Sequence, residues 1–129
     1  MTTVDLTAET FEGTVTGEGI VLVDFWAGWC GPCQVFAPVY ERVSGSHDDV
    51  VFGKVDTEAE QQLAAAFGIR SIPTLMAFRE GVMVFAQPGA LPEPALEQLI
   101  GAIRALDIED VRRKVPEAER QGAAAGDRP

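Results

Sequence analysis

The run IVLVDFWA, from Ile20 to Ala27, constrains the fold of this chain more than any other stretch. It is almost continuously apolar and rich in β-branched and aromatic residues. A strand covered on both faces reads this way, in a sheet that carries helices on each side. One charge, Asp24, interrupts it. A second run of the same kind, VVFGKVD from Val50 to Asp56, is interrupted by Lys54. Two such strands demand enough chain to cover them, and 129 residues are enough for one domain with a real core.

The covering elements can be read between the strands. TAETFEG, Thr7 to Gly13, opens on a good N-cap residue and predicts a short helix. QVFAPVYERVS places Val35, Phe36, Val39, Tyr40 and Val43 at helical spacing, with Pro38 expected to kink the helix. EAEQQLAAAFG predicts another helix, which Gly68 can cap. PTLMAFREGVMVFAQPG reads as two strands joined in a hairpin at Glu80-Gly81. PEPALEQLIGAIRAL, with Leu96, Leu99, Ile100 and Ile103 in register, predicts the last helix. Strands alternating with helices, then a hairpin and a helix, make an α/β sandwich around a mixed sheet. The domain is expected over 1–106. Residues 107–129, poor in large apolar side chains, read as an extension that is partly helical or disordered.

The formal net charge of -10 argues against nucleic acid and against anionic membrane surfaces as partners. The first residues, MTTVDLTAET, lack the basic and apolar regions of a secretory signal. No apolar run approaches the roughly 18 residues of a membrane span. A cytoplasmic location is the expectation.

The chemistry is concentrated in WAGWCGPCQ, Trp26 to Gln34, which holds both cysteines of the chain. A structural zinc would need about four ligands and an iron–sulfur cluster about four thiolates. Neither set is present, so no metal is expected. As a staple, a disulfide between Cys30 and Cys33 would close too short a loop to remove much unfolded-state entropy. The pair stands where a buried strand ends and a helix begins. The backbone N–H groups and dipole of a helix N-terminus favour a thiolate. Pro32 suits an early helical position and Gly31 allows close backbone approach. Cys30 is therefore expected as the exposed nucleophile and Cys33, one turn further in, as the more buried resolving thiol. Thiol–disulfide exchange needs both roles.

With VDFWAGWCGPC, PVYERV, KVDTE, IRSIPTLMAF, the Glu80-Gly81 turn and GAL at Gly89 to Leu91, the chain resembles the thioredoxin family from about Val4 to Leu106. The resemblance implies a central mixed five-stranded sheet flanked by four helices. It implies a protein-disulfide reductase working in cell redox homeostasis with no bound cofactor. Electrons would come from NADPH through a flavoprotein, thioredoxin reductase, and pass to disulfide-containing client proteins, with the chain acting as a monomer.

The resemblance also gives roles to particular residues. Asp24 would lie behind the dithiol and take the proton of Cys33, its pKa raised by desolvation. Lys54 would neighbour that acid and tune it. Pro73 would be a cis-proline facing the dithiol, and the loop with Ile72 would pair with an extended client segment. Trp29, Gly31, Pro32, Ile72, Pro73, Gly89 and Ala90 would form a docking collar around Cys30. Three positions depart from the family pattern: Gln34 where Lys or Arg is usual, Gly28 where a larger residue is frequent, and Pro88 just before Gly89. Two other readings stay open, a non-catalytic binding or scaffold module and a more oxidising disulfide isomerase.

Overall fold

A computed structural model describes residues 2–114. Its elements run β1 (Thr3–Asp5), α1 (Phe11–Val15), β2 (Ile20–Trp26), α2 (Gly31–Ser44), β3 (Val50–Asp56), α3 (Gln61–Ala66), β4 (Thr74–Arg79), β5 (Val82–Pro88), α4 (Glu93–Arg104) and α5 (Ile108–Lys114). The strands form one sheet in the order β1-β3-β2-β4-β5. β1, β3 and β2 are parallel, and β4 and β5 each run antiparallel to their neighbour.

Strand alternation divides the core in two. Ile20 and Leu22 of β2, Val50 and Phe52 of β3, and Leu75 and Ala77 of β4 face Phe36, Tyr40 and Val43 of α2 and Leu96, Ile100 and Ile103 of α4. Val21, Val23 and Phe25 point the other way, into a core with Phe11 and Val15 of α1 and with Leu63 of α3. Fully burying side chains of this size contributes about 1.5–3 kcal/mol each. Both faces of β2 are thus covered, as the apolar run requires. The period of two then dictates that Asp24 follows Ile20 and Leu22 onto the α2 face. Lys54 follows Val50 and Phe52 to the same side.

The hairpin lies at Glu80-Gly81, with φ of 53° and 82°. Positive φ at both central residues is the geometry a two-residue hairpin turn prefers. Gly68 closes α3: its N–H reaches the Ala65 carbonyl, and Ile69 N–H reaches that of Ala64.

Several expectations need correction. The helix expected over Thr7 to Gly13 begins only at Phe11 and ends at Val15. The Thr7 N–H donates to Thr10 Oγ1 instead, which holds residues 7–10 in a turn. α2 starts at Gly31, ahead of the stretch from Gln34 in which its apolar spacing was read, and contains Pro38. Val35 lies off the apolar face of α2 and is exposed. β1 had no counterpart in the hydrophobic pattern. The four expected helices are joined by a fifth, α5, which follows Leu106. The expectation of disorder falls largely on 115–129, outside the described residues. Among the described residues no helix is long and apolar enough to cross a membrane.

Candidate active site

β2 delivers the chain to the site and α2 carries it away. After Trp26 the backbone turns, Cys30 N–H donating to the Ala27 carbonyl at 3.2 Å. Cys30 is the N-cap of α2 in an extended conformation, and Pro32 occupies the first turn. Cys30 and Cys33 are joined as a disulfide, their Cα atoms 5.2 Å apart.

Burial does not separate the two cysteines. Cys30 is 4% exposed and Cys33 3%, so the expected contrast between an outward and an inward thiol is absent from this oxidised form. Their surroundings do differ. Cys30 Sγ accepts the Cys33 N–H at 3.2 Å and lies 3.6 Å from the Ile72 carbonyl oxygen. A backbone donor aimed at sulfur at a helix N-terminus stabilises negative charge there. The first turn of α2 carries no acidic residue to oppose it.

Across from the disulfide runs the loop into β4. The Ile72–Pro73 peptide is cis, and Ile72 packs with Ala27, Cys30 and Cys33. Gly89, with φ of 108°, donates its N–H to the Pro73 carbonyl at 2.7 Å. A residue with a side chain would resist that conformation, so Gly89 ties the end of β5 to the loop. Gly31, Pro32, Gly89 and Ala90 are exposed on this surface and Pro73 is buried. Trp29 is 70% exposed, and its Nε1–H donates to Glu58 Oε2 at 3.2 Å. Glu58 reaches it because Asp56, at the end of β3, accepts the Glu58 N–H and turns the chain. Nothing in the sequence reading singled out Glu58, since the contact joins separate loops.

Behind the disulfide a cleft of about 230 Å³ is lined by Asp24, Trp26, Ala27, Gly28, Cys33, Gln34, Ala37 and Lys54. Asp24 is 1% exposed, and neither carboxylate oxygen has a hydrogen-bond partner among the protein groups. Burial pushes its pKa up to about 7, and the Lys54 charge offsets only part of that rise. Such a carboxyl can take up or release a proton near neutrality. Lys54 is half-buried, with Nζ 4.9 Å from the centroid of the Trp26 ring. Gln34 is exposed, and its Nε2 donates to the Gly28 carbonyl at 2.7 Å. Among the described residues no group of three or more His, Cys, Asp or Glu is placed to hold a metal ion.

The thioredoxin family model matches residues 2–102. A Streptomyces coelicolor protein provisionally named thioredoxin 2 is 60% identical over 119 residues, covering 92% of this chain and 89% of its own. A Bacillus subtilis thioredoxin is 42% identical over 86 residues, or 66% of this chain and 83% of its own. A crystal structure of the Malassezia sympodialis thioredoxin superposes with a TM-score of 0.71 at 34% identity, covering 80% of this chain and 91% of that one.

Proposed function

Because this chain belongs to the thioredoxin family and is a thiol–disulfide oxidoreductase, we propose that it reduces client proteins by the following division of labour. In the reduced form the Cys30 thiolate attacks a client disulfide. A Cys30–client mixed disulfide forms and one client thiolate leaves. Cys33 then gives its proton to Asp24 and attacks Cys30 Sγ. The Cys30–Cys33 disulfide forms, the second client sulfur leaves as thiolate, and two electrons have passed to the client.

The observation that carries this reading is the Cys30–Cys33 disulfide at the start of α2, with the buried carboxyl of Asp24 lining the cleft behind it. Lys54 limits the rise in the Asp24 pKa. Trp29, Gly31, Pro32, Ile72, Pro73, Gly89 and Ala90 form the surface on which an extended client segment docks. Residues 1–106 are the working domain and 107–129 an extension. The chain acts as a monomer in the cytoplasm, where the reducing poise keeps dithiols cycling. A flavoprotein thioredoxin reductase returns it to the dithiol with electrons from NADPH.

The test is NADPH oxidation in a mixture of the protein, a thioredoxin reductase and a protein disulfide. Sustained consumption that depends on Cys30 is expected. No turnover with a reductase that is active on another thioredoxin would overturn the proposed electron source.

A further inference from the structure

One hydrogen bond spans the solvent side of the cleft above Asp24. Gln34 Nε2 donates to the Gly28 carbonyl oxygen at 2.7 Å, joining the first turn of α2 to the segment that leaves β2. Only the amide nitrogen of Gln34 can face a carbonyl, so the side-chain orientation is set. Both residues are exposed and line the same cleft as Cys33 and the buried Asp24. Gln34 and Gly28 therefore stand at the mouth, with the carboxylate on the floor. A Cβ at Gly28 would meet nothing within 4 Å, so the space beside this residue is open.

The width of that mouth has chemical consequences. Both Asp24 oxygens and Trp26 Nε1 are buried without a protein partner. Water that reached the Asp24 carboxylate would find two oxygens without a protein partner. Water beside a carboxylate favours its charged form. The other groups facing Asp24 are accounted for. From β3 comes Lys54, with its ammonium over Trp26. From α2 come Cys33 and Tyr40, whose hydroxyl donates to the Gly53 carbonyl at 2.8 Å. β4 presents Leu75 at this register.

We propose that Gln34 is a positioning residue that latches the cleft, bridging to Gly28 and so controlling how readily water reaches Asp24 and Cys33. The latch acts on the proton step and rests on the reading of Asp24 as proton acceptor for Cys33. A neutral amide does this without placing a charge beside the carboxyl, as a Lys or Arg at position 34 would.

The test follows the carboxyl carbon of Asp24 by NMR through a pH titration of the oxidised protein, in wild type, Gln34→Met and Gln34→Ala. Met keeps the length of Gln without its donor, and Ala removes both. The Asp24 midpoint is expected to fall by about one pH unit in both variants as water enters. Melting temperatures close to wild type would show that the fold is intact. An unchanged or higher midpoint in both variants overturns the latch, and so does a fall confined to Gln34→Ala, which would make bulk rather than the hydrogen bond responsible. The parent reading is tested separately by the rate at which Asp24→Asn resolves a mixed disulfide. A wild-type rate there removes the proton role of Asp24 without altering what the midpoints say about the latch.

Discussion

Asp24 and Lys54 are direct Cα partners across the parallel β2–β3 ladder, yet they do not form an ion pair. Their side chains project to the same face of the sheet. The ammonium of Lys54 lies over the Trp26 ring, and the carboxylate of Asp24 is buried without a hydrogen-bond donor among the protein groups. A close pair would have held Asp24 ionised well below neutral pH. The separation leaves desolvation as the larger influence, and it pushes the Asp24 pKa up to about 7.

Asp24 should make stability depend on pH. The folded carboxyl keeps its proton to about pH 7, whereas an ordinary aspartate loses it near 3.8. Between these values the unfolded state binds fewer protons, so stability falls as pH rises. The full effect, reached above pH 7, is up to about 4 kcal/mol. Urea unfolding of oxidised wild type and Asp24→Asn should give similar stabilities at pH 4 and a clearly more stable variant at pH 8. A pH-independent difference between the two would show that Asp24 ionises normally.

The cysteine roles predict an asymmetric trap. Cys33→Ser should accumulate mixed disulfides with client proteins, because nothing resolves the Cys30–client bond. Cys30→Ser should accumulate none. Non-reducing gels with an oxidised protein substrate read the difference, and equal trapping by both variants would reverse or abolish the assignment.

Trp29 presents an exposed ring beside the disulfide, steadied by its bond to Glu58. Trp29→Ala should raise KM for a protein disulfide about 3- to 10-fold, a typical loss for an interface aromatic, with kcat little changed. A small-molecule disulfide should be less affected. Identical losses on both substrates would place Trp29 in the chemistry rather than in docking.

Gly53 precedes Lys54 on β3 and packs against Leu6 on the opposite face of the sheet. A Cβ there would lie 2.6 Å from Leu6 Cδ1 and 3.3 Å from the Leu22 carbonyl oxygen, and Leu6 is itself buried. Gly53→Ala should therefore cost about 1–3 kcal/mol through overpacking. Chemical denaturation measures the loss. Wild-type stability would mean that Leu6 can shift at no cost.

The extension should be dispensable for activity. Arg79 donates to the carbonyls of Ile103 and Leu106, which fixes the end of α4 without α5. α5 reaches the hairpin through Arg112 and Glu80, a partly exposed pair 3.8 Å apart. Such a pair contributes about 0–1 kcal/mol. Ending the chain at Leu106 should leave disulfide reduction at wild-type rates with a comparably small loss of stability. A collapse of either would make 107–129 part of the domain.

The elements that position the chemistry were legible wherever a local pattern was strong. The bounds of β3 agree with its apolar run, and Glu80-Gly81 marks its own turn. β1 has only three residues, with a single apolar one, Val4, that is largely exposed, so no hydrophobic period announces it. α1 begins late because Thr10 holds a turn through its side chain rather than capping a helix at Thr7.

The sequence by itself determined which reactive groups exist and how they are spaced: two thiols at a helix start, an acid inside an apolar strand, and a proline before the next strand. Only the tertiary structure decided their environments. Gln34 read along the chain as a missing positive charge, but in the fold its amide bridges to Gly28. Cys30 read as the outward thiol, but in the disulfide it is as covered as Cys33. The physical reason is that spacing follows from the covalent chain, whereas burial, hydrogen-bond partners and pKa depend on which distant segments pack alongside. Residues 24, 28, 34 and 54 meet only once β2, β3 and α2 have come together.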